Sequence, residues 1–163
     1  MIYTSLRDIR AEGPCKRGWN KLLEHLGKTQ ADYEPLSFLT ILESNGVEDA
    51  AWCLRTVGHD AELRKLACDL ALSVAHLWDM PPVVREYLET QNEELRMLAH
   101  HTATEACRLS ANYNVWNAIR ATAHATVRDV GDMNIAGVVG DMKAIGTANI
   151  ANEIFIKWLE ETK

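Results

Sequence analysis

The sequence predicts an all-α protein, and three observations carry that reading. Alanine and leucine recur at helical spacing along nearly the whole chain, sustained strand-type alternation and Val/Ile/Thr-rich runs are absent, and turn residues cut the chain into helix-sized segments. The architecture expected is a compact helical bundle or a short HEAT-like α-solenoid stack, opened by a cap of short helices. Residues 1–58 make that short-helix module and residues 59–163 a repeat-like region of longer helices, the two forming one continuous structural domain.

The elements follow in order. Gly13-Pro14 and Gly27 bracket a helix CKRGWNKLLEHL, Asn45-Gly46 closes PLSFLTILES, and Gly58 sits where a C-terminal cap belongs after VEDAAWCLRTV. Asp60 is an N-cap for a helix running to about Trp78, and Pro81-Pro82 fit the first turn of a helix through VVREYLET. Glu93 opens a helix to about Ala111, Asn112 and Asn114 mark a break, and the next helix runs from about Val115 to Val130. Asp132 could cap the segment that follows. Gly137, Gly140 and Gly146 weaken helix there, at up to about 1 kcal/mol each relative to alanine, whereas ANEIFIKWLEE is a firmer helix.

Residues 61–78 align with 93–110 at an ungapped offset of 32, matching Glu62, Leu63, Arg64, Leu66, Ala67, Ala71 and Leu77 to Glu94, Leu95, Arg96, Leu98, Ala99, Ala103 and Leu109. Such a period suits a two-helix unit of the kind that stacks in solenoids.

Composition narrows the function classes. At 163 residues the chain can bury a substantial core, and 47% hydrophobic with 25% charged residues is ordinary for a globular protein. With 23 acids against 17 bases and a formal net charge of −6, the chain lacks the basic surface that nucleic-acid binding needs. Its carboxylates are also too dispersed for DNA mimicry. Cys15, Cys53, Cys68 and Cys107 are scattered with no CxxC, the N-terminus MIYTSLRDIR carries charge where a signal peptide needs an apolar segment, and no apolar run approaches bilayer length. The expectation is a reduced, cytoplasmic protein of a bacterial or phage-infected cell, without nucleic-acid or membrane partners.

The stretch LAHHTATEAC, residues 98–107, looks like a metal site. Helical geometry separates its groups: with Leu95, Leu98, Ala99, Thr102, Ala106 and Leu109 taken as the buried stripe, His100 and Cys107 fall on one flank and His101 and Glu105 on the other. A zinc site needs three or four ligands around one point, and a third could come only from another helix. Cys68 holds the repeat position equivalent to His100, so the metal candidates are Cys68, His100 and Cys107, set against the simpler reading of cysteines packed as small apolar residues. No Gly-rich phosphate loop, GxSxG or HExxH is present, and Cys107 and His101 lie on different flanks with no oxyanion loop. No cofactor and no catalytic residue are predicted. Trp19, Trp52 and Trp116 fit core positions, whereas Trp78 and Trp158 at helix ends, with Met80 beside the double proline, are the candidate interface residues.

Residues 13–57 carry a denser pattern: Gly13-Pro14-Cys15, Gly18-Trp19, Leu26 to Thr29, Ala31-Asp32, Glu34 to Leu36, Ile41 to Gly46 and Asp49 to Arg55. This third resembles an N-terminal module that recurs in proteins of bacteriophages, prophages and their bacterial hosts. The resemblance implies an accessory protein of phage or prophage origin and carries no catalytic residue across. The residues themselves suggest that the GPC turn brings Cys15 into the core beside Trp19 and that Asp32 caps a helix containing Pro35. The function expected is a non-enzymatic protein-interaction module that binds and modulates a host or phage protein, an inhibitor of a bacterial defence system such as an anti-CRISPR or anti-restriction protein being one form. Two alternatives stand beside it: a metal-binding protein or metalloenzyme using Cys68, His100 and Cys107, and a homo-oligomer assembled through an exposed apolar face of ANIANEIFIKWLEE.

Overall fold

The computed structural model of the chain describes residues 2–127 and 135–162. The fold is all-α. Among the described residues the one sheet is a two-residue antiparallel ladder, β1 (Tyr3–Thr4) against β2 (Leu36–Ser37), with Tyr3 opposite Ser37 and Thr4 opposite Leu36. Between its strands lie α1 (Leu6–Ala11) and α2 (Lys16–Leu26). Ser5 opens α1, its hydroxyl accepting from the Asp8 amide at 3.1 Å and donating to the Asp8 carboxylate at 2.5 Å, and the helix buries Leu6 and Ile9. Cys15 caps α2 and Gly27, at φ +63°, closes it in the left-handed conformation that glycine adopts without strain.

The ladder changes the next element. Helix α3 (Phe38–Asn45) begins three residues after Pro35, because Leu36 and Ser37 are extended to pair with β1, and Ser37 rather than Asp32 is its cap. Asp32 instead accepts from the Glu34 amide and pairs with Lys28 at 2.6 Å. Gly46, at φ +93°, is the single residue between α3 and α4 (Val47–Cys53). Gly58 is not a helix cap: α4 tightens into a 3-10 turn over Leu54–Thr56, and Val57 is already extended.

Helix α5 (Asp60–Ser73) is shorter than predicted. His59, not Asp60, precedes it, Ser73 turns its hydroxyl onto the Leu70 carbonyl at 2.6 Å, and a separate 3-10 turn covers Ala75–Leu77. The proline pair starts α6 (Pro82–Thr90) as expected, Asn92 caps α7 (Glu93–Leu109), and the Asn112 side chain accepts two amide hydrogens at the start of α8 (Tyr113–Ala125). The predicted continuation to Val130 and the Asp132 cap fall partly or wholly outside the described residues. Helices α9 (Ile135–Ala144) and α10 (Ala148–Glu161) complete the chain; α9 forms despite its two glycines because Val138, Val139 and Met142 are fully buried.

Packing selects the bundle over the solenoid. Helices α5 and α6, α6 and α7, α7 and α8, and α8 and α5 pack pairwise, closing a four-helix ring in which α5 and α7 stand diagonally. A solenoid of two-helix units would set them side by side. Helix α9 fills the space against α8, α4 and α5, and α10 packs on α5, α4 and α3, so one core runs from Ile2 to Leu159 across both predicted regions. Much of the apolar surface of α10 therefore lies inside the chain, with Ala151, Phe155, Trp158 and Leu159 buried and Ile150 exposed. Among the described residues no helix is long and apolar enough to cross a membrane.

One ion pair joins α8 to α9. Asp141 is 1% exposed, and Arg120, 41% exposed, reaches both its oxygens from Nε at 2.9 and 3.0 Å while its guanidinium stacks 4.1 Å from the Trp116 ring centre. Removing the cation would strand a buried carboxylate. Arg120→Ala should therefore lower unfolding free energy by about 2–3 kcal/mol in urea denaturation, below the full cost of breaking a buried pair because water reaches the arginine. Adding Asp141→Asn should recover part of that loss.

Candidate functional site

Residues of the 13–57 segment, with Ile9 of α1, converge on a cavity. The start of α2, the end of α3 and one side of α4 line a half-open cavity of about 120 Å³. Its lining combines the apolar Ile9, Pro14, Leu22 and Ile41, the indoles of Trp19 and Trp52, the thiols of Cys15 and Cys53, and the polar Asn45 and Asp49.

Asn45 fixes the geometry. As the last residue of α3 it donates from Nδ2 to the Gly18 carbonyl at 2.9 Å and to Asp49 Oδ2 at 2.7 Å, tying α2 to α4 across the Gly46 turn. Its Oδ1 accepts from the Ser44 hydroxyl at 2.6 Å. The clamp requires glycine at 18, since a Cβ there would stand 2.8 Å from Asp49 Oδ2 and 3.4 Å from Cys15 Sγ. Cys15 does not enter the core: it is exposed, and its Sγ accepts the Gly18 amide at 3.3 Å as the cap of α2. Cys53 is buried, and desolvation, followed by the Asp49 charge, pushes its thiol up to about 12, which keeps it neutral and unreactive at ordinary pH. Among the described residues no histidine lines the cavity, so neither thiol has an imidazole beside it. The arrangement offers binding groups: two rings, an apolar floor and one carboxylate.

The sequence-predicted metal candidates are not brought together. Cys68 lies wholly inside α5, its thiol also raised to about 12 by burial. His100 reaches from α7 to the end of α8, with Nδ1 3.0 Å from Thr126 Oγ1 and 3.2 Å from the Ala123 carbonyl. Cys107 is half-buried with Sγ 3.9 Å from the Trp116 carbonyl, and its thiol is raised by burial against the opposing Arg120 charge. The repeat placed Cys68 next to His100 by assuming side-by-side stacking, and the diagonal arrangement of α5 and α7 separates them. Among the described residues no group of three His, Cys, Asp or Glu side chains is placed to hold a metal ion.

The interface candidates also move. Trp158 is a core residue whose Nε1 donates to the Glu62 carbonyl at 3.0 Å, and Met80 is buried beside the proline corner. Trp78 is half-buried, with its indole nitrogen enclosed and unbonded. The open apolar surface is elsewhere. On α7 the inward residues are Ala99 and Ala103, while Met97, Leu98 and Leu109 are 75%, 55% and 83% exposed, and Tyr113, at the start of α8, is 65% exposed. Leu98 and Leu109, assigned to the buried stripe, thus face solvent, because α7 stands at a corner of the ring and lies close to its neighbours through small residues. The repeat held the signal: Ala67 and Ala71, the aligned pair on α5, are equally buried.

Near the Arg120–Asp141 pair, His124 Nε2 lies 4.0 Å from Asp141 Oδ2. Burial lowers its pKa, with Arg120 adding to the effect and Asp141 opposing it. A histidine that binds its proton less readily folded than unfolded makes stability rise with pH through that interval. The contribution is intact above the unfolded value of about 6.5 and is lost as pH falls through the lowered folded value. Urea midpoints for the wild type should decline on acidification below about pH 6.5, and His124→Gln should flatten that part of the profile.

Comparison with protein-family models, curated proteins and solved structures finds no match for this chain.

Proposed function

We propose that this chain is a non-catalytic protein-interaction module of phage or prophage origin, which binds and modulates a host or phage protein through the outer face of α7 and the start of α8. Inhibition of a bacterial defence system is the concrete form that the resemblance of its N-terminal third favours. The observation that carries the reading is the grouping of Met97, Leu98, Leu109 and Tyr113 on α7 and the start of α8, whereas the other exposed large side chains, Tyr3, Tyr33 and Ile150, lie on separate segments. Leu98 and Leu109 are eleven positions apart, about three turns, and so share one helix face. Fully covering one such side chain is worth about 1.5–3 kcal/mol, so a partner seated along this face of α7 would gain from the two leucines together.

Charge supports a protein partner over a nucleic acid, since the chain is net acidic at −6. A second copy of the chain could also use α7, because α10 buries Ala151, Phe155, Trp158 and Leu159 within the chain and offers a smaller apolar surface around Ile150.

Tagged protein expressed in a bacterial host under phage infection should capture a stoichiometric protein partner. A Leu98→Glu/Leu109→Glu variant, shown to be folded by circular dichroism, should lose it, with affinity falling at least about tenfold. Retention of the partner by that variant would refute α7 as the contact. Dimerisation of the wild type that the same variant abolishes would replace the foreign partner with a second copy.

A further inference from the structure

The cavity between α2, α3 and α4 has a chemistry of its own, independent of the α7 surface. The geometry points to a binding site for a methylated ammonium group, held by Asp49 between the indoles of Trp19 and Trp52. Three observations converge on that class of ligand.

The first is charge. Asp49 lines the cavity, and its bond from Asn45 engages Oδ2 alone; among the described residues nothing donates to Oδ1 and no cation pairs with the carboxylate. An anion at the edge of an apolar cavity is favoured by a cationic occupant, because attraction strengthens where water is excluded. The second is the walls. Two tryptophans, Trp19 and Trp52, are among the lining residues, and indole is the strongest aromatic partner for a cation, quaternary ammonium being a group that aromatic linings recognise. The third is size. About 120 Å³ is slightly smaller than the roughly 150 Å³ that accommodates benzene, so the cavity takes a head group of about five heavy atoms and no nucleotide or large cofactor.

Counting hydrogen bonds separates the candidate cations. A primary ammonium brings three donors and a guanidinium five, each needing an acceptor when desolvated. The cavity's acceptors are few: Asp49 Oδ1 is open, Asp49 Oδ2 and Asn45 Oδ1 each already take one bond, and the Gly18 carbonyl is engaged by Asn45, so a guanidinium's five donors would outnumber them. A trimethylammonium group has no N–H to satisfy and covers its charge with methyls that suit Ile9, Leu22 and Ile41. Arg10 and Arg55 stack near Trp19 and Trp52 at 5.3 and 4.2 Å from the ring centres. Neither arginine lines the cavity and both are exposed, so water and salt screen their repulsion more than they screen Asp49.

The test uses the full chain and two probes of equal shape. Choline and its uncharged carbon isostere, 3,3-dimethylbutan-1-ol, are titrated while tryptophan fluorescence and calorimetric heat are followed. Saturable choline binding at least tenfold tighter than that of the isostere is expected, with Asp49→Asn, which keeps an acceptor for Asn45, bringing the two level. Equal binding of both probes by the wild type would overturn the assignment in favour of a purely apolar cavity. Absence of saturable binding by both choline and a trimethyllysine peptide would overturn it outright. Tighter binding of the peptide than of choline would support the site and place its ligand on a protein side chain, and the reverse order would support a free small molecule. The α7 variant Leu98→Glu/Leu109→Glu should bind choline as the wild type does, which keeps this result separable from the interaction reading.

Discussion

Helix α5 leaves one narrow side to solvent, along Glu62, Lys65 and Asp69. Leu66, Ala67, Cys68, Leu70 and Ala71 are completely buried, and within that run Asp69 alone keeps a substantial opening to solvent. A helix enclosed on most of its circumference can admit close neighbours only if many of its residues are small, which is what alanine and cysteine supply here. Around it pack α6, α8, α9 and α10, and its polar atoms are served by those same neighbours. Trp158 on α10 donates to the Glu62 carbonyl, and Arg64 donates to the Tyr87 hydroxyl and the Val127 carbonyl, each at 3.0 Å. Satisfying these groups fixes where α10 and the end of α8 must lie, and α10 in turn supports α3 and α4. The N-terminal module is thus held in place by the last helices of the chain.

That arrangement explains what could be read in advance. Local chemistry was legible: the Gly27 and Gly46 stops, the proline start of α6 and the break before α8 are decided by residues within a few positions of each element. Nonlocal pairing was not. The ladder between β1 and β2 is two residues long, too short to leave an alternating pattern, yet it moves the start of α3 and displaces Asp32 from its expected role. Helix α1 is only six residues long, with two buried positions to announce it. On α7 the leucine pattern pointed to the wrong face, since an edge helix of a tight ring turns its alanines inward and leaves leucines outside.

The candidate site was legible as a motif and hidden as a shape. Pro14, Cys15, Gly18 and Trp19 stood out together with Asn45, Asp49, Trp52 and Cys53, but a cavity between three helices appears only once the Asn45 clamp has drawn α2 and α4 together. The thiols attract attention first in a sequence. In the fold Cys53 and Cys68 are silenced by burial and Cys15 serves as a helix cap, leaving Asp49 as the chemically distinctive group.

The two surfaces sit on different parts of the scaffold, and the connection between them can be traced. From α4 the contact path runs through Glu48, paired with Lys143 on α9 at 2.9 Å, to Asp141, to Arg120 on α8, and from α8 to α7. Contiguity alone does not make this a relay, because coupling requires an element with two arrangements that both ligands bias. The path argues against such an element. Asp141 is held through both oxygens in a buried setting, and a bond that costs so much to break has no second position close in energy. On the two proposals made above, a ligand in the Asp49 cavity and a partner along α7 would therefore bind independently, and their effects on stability should add.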